Sequence, residues 1–245
     1  MSVRAEGAGF FGKTWALVVK DVKLELRGRD TLPPMIAFAA AVAILLAFSI
    51  PSSGSISAPV KLLAGSVPLA DVLAGFLWVT VLFAGLIGFA RTFEVEREET
   101  AIDSLLMAPL DRSGLFFGKA IPNLAFIVLV EAILIPLFAI LFGIDLGSSW
   151  AVLAAVALLA DLGFVSVGTL FSALAAQTSS RELILPILAL PVLVPVFIAA
   201  VVLTSDLFAG SSLDELARRG WFAILVAFDV IFITAGALLF EFTVE

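Results

Sequence analysis

The chain has 245 residues, 62% of them hydrophobic and only 14% charged, with a formal charge of −7 and a mean hydropathy of +1.17. A water-soluble domain carries about 25% charged residues and cannot hide so much apolar surface, so the solvent this composition suits is lipid. Cys, His and Tyr are absent, which excludes disulfides, thiol chemistry, Cys/His metal sites and imidazole acid–base catalysis; no basic face is present to hold nucleic acid.

In chain order, Phe11, Trp15, Val18, Val22 and Leu26 fall on one helical face, with Lys13, Lys20 and Arg27 opposite. This pattern predicts a basic amphipathic helix within residues 1–31, lying in the membrane interface with Trp15 at headgroup level. Such an elbow either braces a moving bundle or anchors it passively. The charged lead is too long for the n-region of a cleaved signal peptide. Gly7-Ala8-Gly9-Phe10-Phe11-Gly12-Lys13-Thr14 has the formal spacing of a phosphate-binding P-loop. That motif needs a buried strand before it, and only Met1–Glu6 precede it here, so the match is a coincidence.

Six segments are long and apolar enough to cross about 30 Å of hydrocarbon: Leu32–Ile50, Val72–Ala90, Lys119–Leu141, Trp150–Ala176, Leu183–Leu203 and Trp221–Phe240. Pro33–Pro34 turns the chain into the first. The fourth is long enough to tilt or project. The fifth carries Pro186, Pro191 and Pro195, predicting a kinked or interrupted helix, either accommodated by its neighbours or serving as a gate. Of the 14 Lys and Arg residues, eleven fall on the side of the N-terminus and three (Lys61, Arg218, Arg219) on the other. The positive-inside rule then places both ends in the cytoplasm.

Between spans two and three, Val95, Ile102, Leu105 and Leu106 share a helical face, and Glu94, Glu96, Glu98, Glu99 and Asp103 crowd the remainder. Pro109 ends the element, and Asp111 or Ser113 can cap the next helix. An acidic amphipathic helix suits an anionic membrane surface poorly. It is either a solvated loop helix or a docking element for a soluble protein. Before span six, Ser212-Leu213-Asp214-Glu215 has capping-box spacing and opens a short helix or a structural turn on the outer surface.

Three acids, Glu131, Asp161 and Asp229, fall inside predicted spans. An ionised acid at mid-bilayer costs roughly 2.5–3.5 kcal/mol on insertion scales. Each therefore faces protein or water, pairs with a partner, or carries a proton, with hydrogen bonds from groups such as Thr80, Asn123, Ser166 or Thr169 as the escape. The alternatives are a polar lining or subunit contact that changes as the bundle moves, and structural contacts between helices.

Glu96-Arg97-Glu98 followed by Leu105-Leu106-Met107-Ala108-Pro109-Leu110-Asp111-Arg112 and Gly118-Lys119 resembles the cytoplasmic loop of ABC-2-type exporter permeases, and more narrowly the haem exporter B (CcmB) family of bacterial cytochrome c maturation. Lys20-Asp21, Glu25-Leu26-Arg27, Gly168–Leu174 and Glu182–Pro186 share the likeness. The resemblance implies an all-α membrane protein: an N-terminal interfacial helix (1–31) and a six-helix permease domain (32–245) in the bacterial inner membrane. It implies that residues 94–107 form a coupling helix that seats Glu94, Glu96, Arg97, Glu98, Glu99, Ile102, Leu105 and Leu106 in a cleft of a separate ABC ATPase. It further implies a homodimer, ATP and Mg bound by the ATPase rather than by this chain, haem-handling membrane subunits and a periplasmic haem chaperone. This chain is then expected to have no enzymatic activity and no cofactor of its own. Haem iron takes His, Cys, Met or Tyr, and the only candidates are Met1, Met35 and Met107, so axial ligation of haem here is not expected. The alternatives are an ABC-2 permease for a lipid, polysaccharide or drug, a proton-coupled secondary transporter using the buried acids, and a membrane scaffold.

Overall fold

The computed structural model describes residues 9–28, 30–50, 59–62, 65–93, 112–145, 147–176 and 181–243. Among them are eight α-helices: α1 (Phe10–Gly28), α2 (Leu32–Ser49), α3 (Leu69–Arg91), α4 (Arg112–Phe142), α5 (Trp150–Ala176), α6 (Arg181–Phe208), α7 (Leu213–Arg218) and α8 (Trp221–Thr243). The six long apolar helices α2–α6 and α8 meet the length and hydropathy of membrane spans, so the fold is an all-α multi-pass membrane bundle. With six spans, the start of α2 and the end of α8 lie at one end of it, called here the terminal end.

Helix α5 is the axis of the bundle and packs against α3, α4, α6 and α8. The most apolar windows of α3 and α5 are each 61% buried, against 22% for α2 and α8. The latter two therefore line the outside, where residues such as Phe48, Val230 and Leu238 turn their side chains outward. In a membrane that surface is solvated by lipid.

The close approach of α3 and α5 is made by reciprocal Gly–Phe contacts. A Cβ on Gly85 would sit 2.3 Å from the Phe164 ring, and one on Gly168 would sit 2.2 Å from the Phe89 ring. Each ring occupies the space of a missing side chain on the facing helix, the device by which membrane helices gain packing without a hydrophobic driving force. From there an edge-to-face series runs Phe89–Phe164–Phe197–Trp78, with centroids 5.0, 5.2 and 5.9 Å apart. Trp78 Nε1 ends it by donating to Thr204 Oγ1 at 2.9 Å, and beside that bond Ser205 donates to Asp71.

Several expectations are amended. The third span begins at Arg112, seven residues before Lys119, so at 31 residues it is about 46 Å long and projects beyond the hydrocarbon. Ser113 is therefore inside the first turn of α4 rather than its cap, and Asp111 lies outside the described residues. Helix α6 is not interrupted: it runs for 28 residues through Pro186, Pro191 and Pro195, held between α3, α5 and α8. The sequence reading missed a two-stranded antiparallel hairpin, β1 (Pro59–Leu62) and β2 (Gly65–Pro68), registered with Pro59 opposite Pro68 and Leu62 opposite Gly65. Its Pro-bounded four-residue strands are too short for an alternation to register against the apolar spans on either side.

Helix α7 forms where the capping box was read. The Ser212 N–H donates to Glu215 Oε2 at 3.0 Å, and Arg219 ties the following turn to the end of α6 through Asp206 at 2.8 Å. Phe10 and Phe11, which lie between the motif's two glycines, are already within α1, where a P-loop requires a phosphate-cradling loop.

Candidate functional site

The acidic segment read as the docking element, with Glu94, Glu96, Arg97, Glu98, Glu99, Ile102, Leu105 and Leu106, lies outside the described residues. What the structure does establish is the base from which it springs. Phe93, just before it, is stacked on Phe240 of α8 at 6.4 Å, and Phe240 also meets Phe116, just after it, at 5.8 Å. Phe93, Phe116 and Phe240 are all buried. The two stems of the segment are thus packed together on the C-terminal turns of the last span.

Beside these rings sits the most buried cation of the described chain. Lys119, 3% exposed, extends Nζ to Asp21 Oδ2 of α1 at 2.9 Å, to the Thr92 carbonyl of α3 at 3.1 Å, and over the Phe93 ring at 5.2 Å. One ammonium therefore joins three elements: the elbow helix, the end of the second span and the start of the third. The Asn123 amide, one turn on, donates to Thr92 Oγ1 at 3.1 Å and to Thr169 Oγ1 of α5 at 3.3 Å, extending the junction to the central helix. Buried charge survives only when paired and hydrogen-bonded, and Lys119 has both.

Helix α1 packs on α4 through Thr14, Leu17 and Val18, with Asp21 and Glu25 continuing the stripe. Of the predicted face of Phe11, Trp15, Val18, Val22 and Leu26, Val18 is turned inward and Val22 is half-buried, whereas Phe11 and Trp15 point away from the bundle; the Leu26 side chain lies outside the described residues. Phe11 is 84% and Trp15 62% exposed. The inward stripe is rotated by roughly a quarter-turn at 100° per residue, because Leu17 fills the space beside Gly118, where a Cβ would come within 2.4 Å of it. The edge of the predicted apolar face that carries Phe11 and Trp15 stays free for the lipid interface.

Glu25 sets the hinge between α1 and α2. Its carboxylate accepts from the Thr31 N–H at 3.0 Å and the Leu32 N–H at 2.7 Å. A helix start leaves four N–H groups without intrahelical partners. Here Leu32 is satisfied by Glu25, Pro33 and Pro34 have none to satisfy, and Met35 reaches the Thr31 carbonyl at 3.4 Å. A cavity of about 460 Å³ opens next to this hinge, walled by α1, the start of α2, the end of α3 and the first turns of α4.

The three acids read within spans are all buried, Glu131 at 4%, Asp161 at 0% and Asp229 at 5% exposure. Glu131 of α4 and Asp161 of α5 are brought together. Asp229 of α8 lies apart from them against Gly163, where a Cβ would approach its Oδ1 to 2.8 Å. The hydroxyl and amide groups expected to shelter the acids do not. Thr80 and Ser166 donate to the Phe76 and Leu162 carbonyls of their own helices, at 2.6 and 2.7 Å, and Asn123 is engaged at the junction. Within a helix the i−4 carbonyl is the nearest acceptor a hydroxyl meets. Among the described residues, neither oxygen of Asp161 nor of Asp229 meets a hydrogen-bond donor. Met35 is 1% exposed, with its sulfur 3.0 Å from the Cβ position of Gly88, so it is a packing residue; Met1 and Met107 lie outside the described residues.

Sequence reasoning quoted Lys20-Asp21 and Gly118-Lys119 only for the family likeness, and gave Lys119, Asp21 and Thr92 no place in a site. The one available signal was a lysine at the threshold of an apolar span, a place where a cation either snorkels or finds an acid.

Comparison with known proteins agrees with this architecture. The sequence profile of the family described as CcmB protein matches residues 12–244. The chain is 28% identical over 183 residues to heme exporter protein B of Rhodobacter capsulatus, and 27% identical over 184 residues to heme exporter protein B of Paracoccus denitrificans. Each match covers 75% of this chain and 78% of the relative. With the profile matching from the elbow helix to the end of the last span, this six-span membrane protein belongs to the CcmB protein family.

Proposed function

We propose that this chain is the membrane permease subunit of a haem exporter serving cytochrome c maturation, moved by ATP hydrolysis on a separate ABC ATPase. The observation that carries this reading is the family match over residues 12–244, with relatives named heme exporter protein B. The residue chemistry supports a mechanical rather than a chemical role: a chain without Cys, His or Tyr has little with which to ligate haem iron or catalyse a reaction. In this reading the segment 94–107 is the cytoplasmic coupling helix and Glu96 and Glu98 face the ATPase. Force on that segment enters the bundle through the Phe93–Phe240–Phe116 stack and the Lys119 junction, and so reaches α1, α3, α4 and α5 together. Two copies of the chain assemble with two ATPases and hand haem to membrane partners and a periplasmic haem chaperone.

The test is deletion of the gene followed by haem staining of c-type cytochromes. Loss of covalent haem is expected, restored by the wild-type gene and not by a Glu96→Lys/Glu98→Lys double variant that still reaches the membrane. Normal staining in the deletion strain overturns the assignment to cytochrome maturation and leaves an ABC-2 permease for a lipid, polysaccharide or drug. A second reading, a proton-coupled secondary transporter, draws on the juxtaposed Glu131 and Asp161. It requires activity driven by a proton gradient with no ATPase partner, so stable co-purification with a nucleotide-binding subunit counts against it.

A further inference from the structure

Helix α3 begins, and α6 ends, at the end of the bundle opposite the terminal end. The last turn of α6 carries three polar residues in a row, Thr204, Ser205 and Asp206, and each bonds to another element. Thr204 accepts from Trp78 Nε1 of α3 at 2.9 Å, Ser205 donates to Asp71 in the first turn of α3, and Asp206 pairs with Arg219 beyond α7 at 2.8 Å. Asp71, Gly75 and Trp78 follow one another at i, i+4 and i+7, so they share one face of α3. That face meets α6.

Along α3 the packing changes character. Toward the terminal end it is held by shape, since a Cβ on Gly85 would lie 2.3 Å from the Phe164 ring and Phe89 fills the matching space at Gly168. At Gly75, between the two bonds to α6, a Cβ would meet no atom within 4 Å. On this face the opposite end is therefore joined by hydrogen bonds rather than by interlocked side chains. Water replaces a hydrogen bond at small net cost, and unfilled space has no dispersion contacts to lose. Asp71 is exposed, so water is at hand to make that exchange.

We propose that the Trp78–Thr204 and Ser205–Asp71 bonds form a clasp, and that α3 and α6 part there, from the end opposite the terminal end, while the Gly–Phe interlock holds as the pivot. The clasp has two handles. Strand β2 ends at Pro68 and runs directly into the turn of α3 that carries Asp71, and Arg219 holds the residue after Ser205. A pull on the hairpin or on α7 therefore loads the clasp. In the function proposed above, this is the end at which a bundle driven from residues 94–107 opens. The clasp itself is inferred from packing alone, and its test needs neither haem nor an ATPase.

Ala200 of α6 is 0% exposed and lies on the face of Phe197 and Thr204, both of which meet Trp78. The experiment measures how fast a water-soluble maleimide modifies Ala200→Cys in the purified full chain, which has no native cysteine. Ser205→Ala removes the bond to Asp71 and leaves that carboxylate in water. Trp78→Phe keeps a ring against Phe197 and removes the N–H donor. Each is expected to speed modification about fivefold, the effect of losing one net hydrogen bond, and the two together more than either alone. Ala84→Cys, at a position 1% exposed beside the Gly85 interlock, reports loosening of the whole bundle, and its rate is expected to stay unchanged in the same variants. An Ala200→Cys rate that responds to neither variant overturns the proposal. So does equal acceleration of both thiols, which would make the bonds ordinary supports of the whole fold. Normal cytochrome staining in the deletion strain, with a responsive Ala200→Cys, would instead remove the proposed function and leave the clasp standing.

Discussion

Lys119 shows how much a single buried ammonium can organise. It is 3% exposed, whereas its partner Asp21 is 14% exposed and also has Lys20 at 3.3 Å. The two halves of the pair are thus unequal. Removing the acid takes a counter-charge from an ammonium in the interior, which keeps its Thr92 and Phe93 contacts; removing the base leaves a carboxylate that keeps a second cation and some water. Breaking a buried ion pair from one side costs about 3–5 kcal/mol when the survivor is fully buried. Asp21→Asn is therefore expected to destabilise the protein by about 3 kcal/mol, and Lys119→Met by about 1–2 kcal/mol because the survivor is partly solvated. The double variant Asp21→Asn/Lys119→Met is expected within about 1 kcal/mol of the wild type, since both charges are gone. Equilibrium unfolding in mixed micelles measures all three, and equal losses from the two single variants would contradict the asymmetry. None of this could be read from the residue types alone. Lys119 as a lysine at a span threshold is compatible with snorkelling to water, and only the packing of α1 over α4 brings Asp21 to it.

Helices α3 and α5 interlock through Phe rings seated on Gly85 and Gly168. Gly168→Ala places a methyl where the Phe89 ring sits, and the ring's other neighbour is Phe164 at 5.0 Å, so it has little room to withdraw. Overpacking of this kind costs about 1–3 kcal/mol. Gly168→Ala is expected in that range, with Phe89→Leu in the same chain recovering part of it; losses that simply add in a double-mutant cycle would mean the two sites do not touch. The amphipathic helix α1 was legible in the sequence, because Lys and Arg recur at helical spacing against apolar residues. Its inward face was not. Two stripes on the same helix, one of Phe11 and Trp15 and one of Thr14, Leu17 and Val18, each satisfy a helical period, and the sequence does not say which solvent, lipid or protein, each will meet. Helix α6 teaches the converse. Three prolines are a local signal for a break, and the signal fails because the surrounding helices and the low-water environment hold the remaining hydrogen bonds in place.

At the scale of the molecule, orientation remains a matter of charge: eleven of the 14 basic residues fall on the terminal side by sequence. The absence of cysteine makes labelling clean. A cysteine introduced as Ser66→Cys in the hairpin is expected to react with a membrane-impermeant maleimide in intact spheroplasts, and Ser104→Cys only after the membrane is opened. The reverse pattern would invert the bundle and remove the coupling role proposed for residues 94–107. The number and order of the spans were readable from the chain by itself, though not their full extent, because the hydrocarbon sets a minimum apolar run and forces each run to close its own backbone hydrogen bonds, both of which are local conditions. Where the charges went was decided by tertiary structure: Lys119 to Asp21, and Glu25 to the first turn of α2. A buried polar group is stable only beside a partner brought from elsewhere in the chain, and which partner arrives depends on how the helices pack rather than on the order of residues along any one of them.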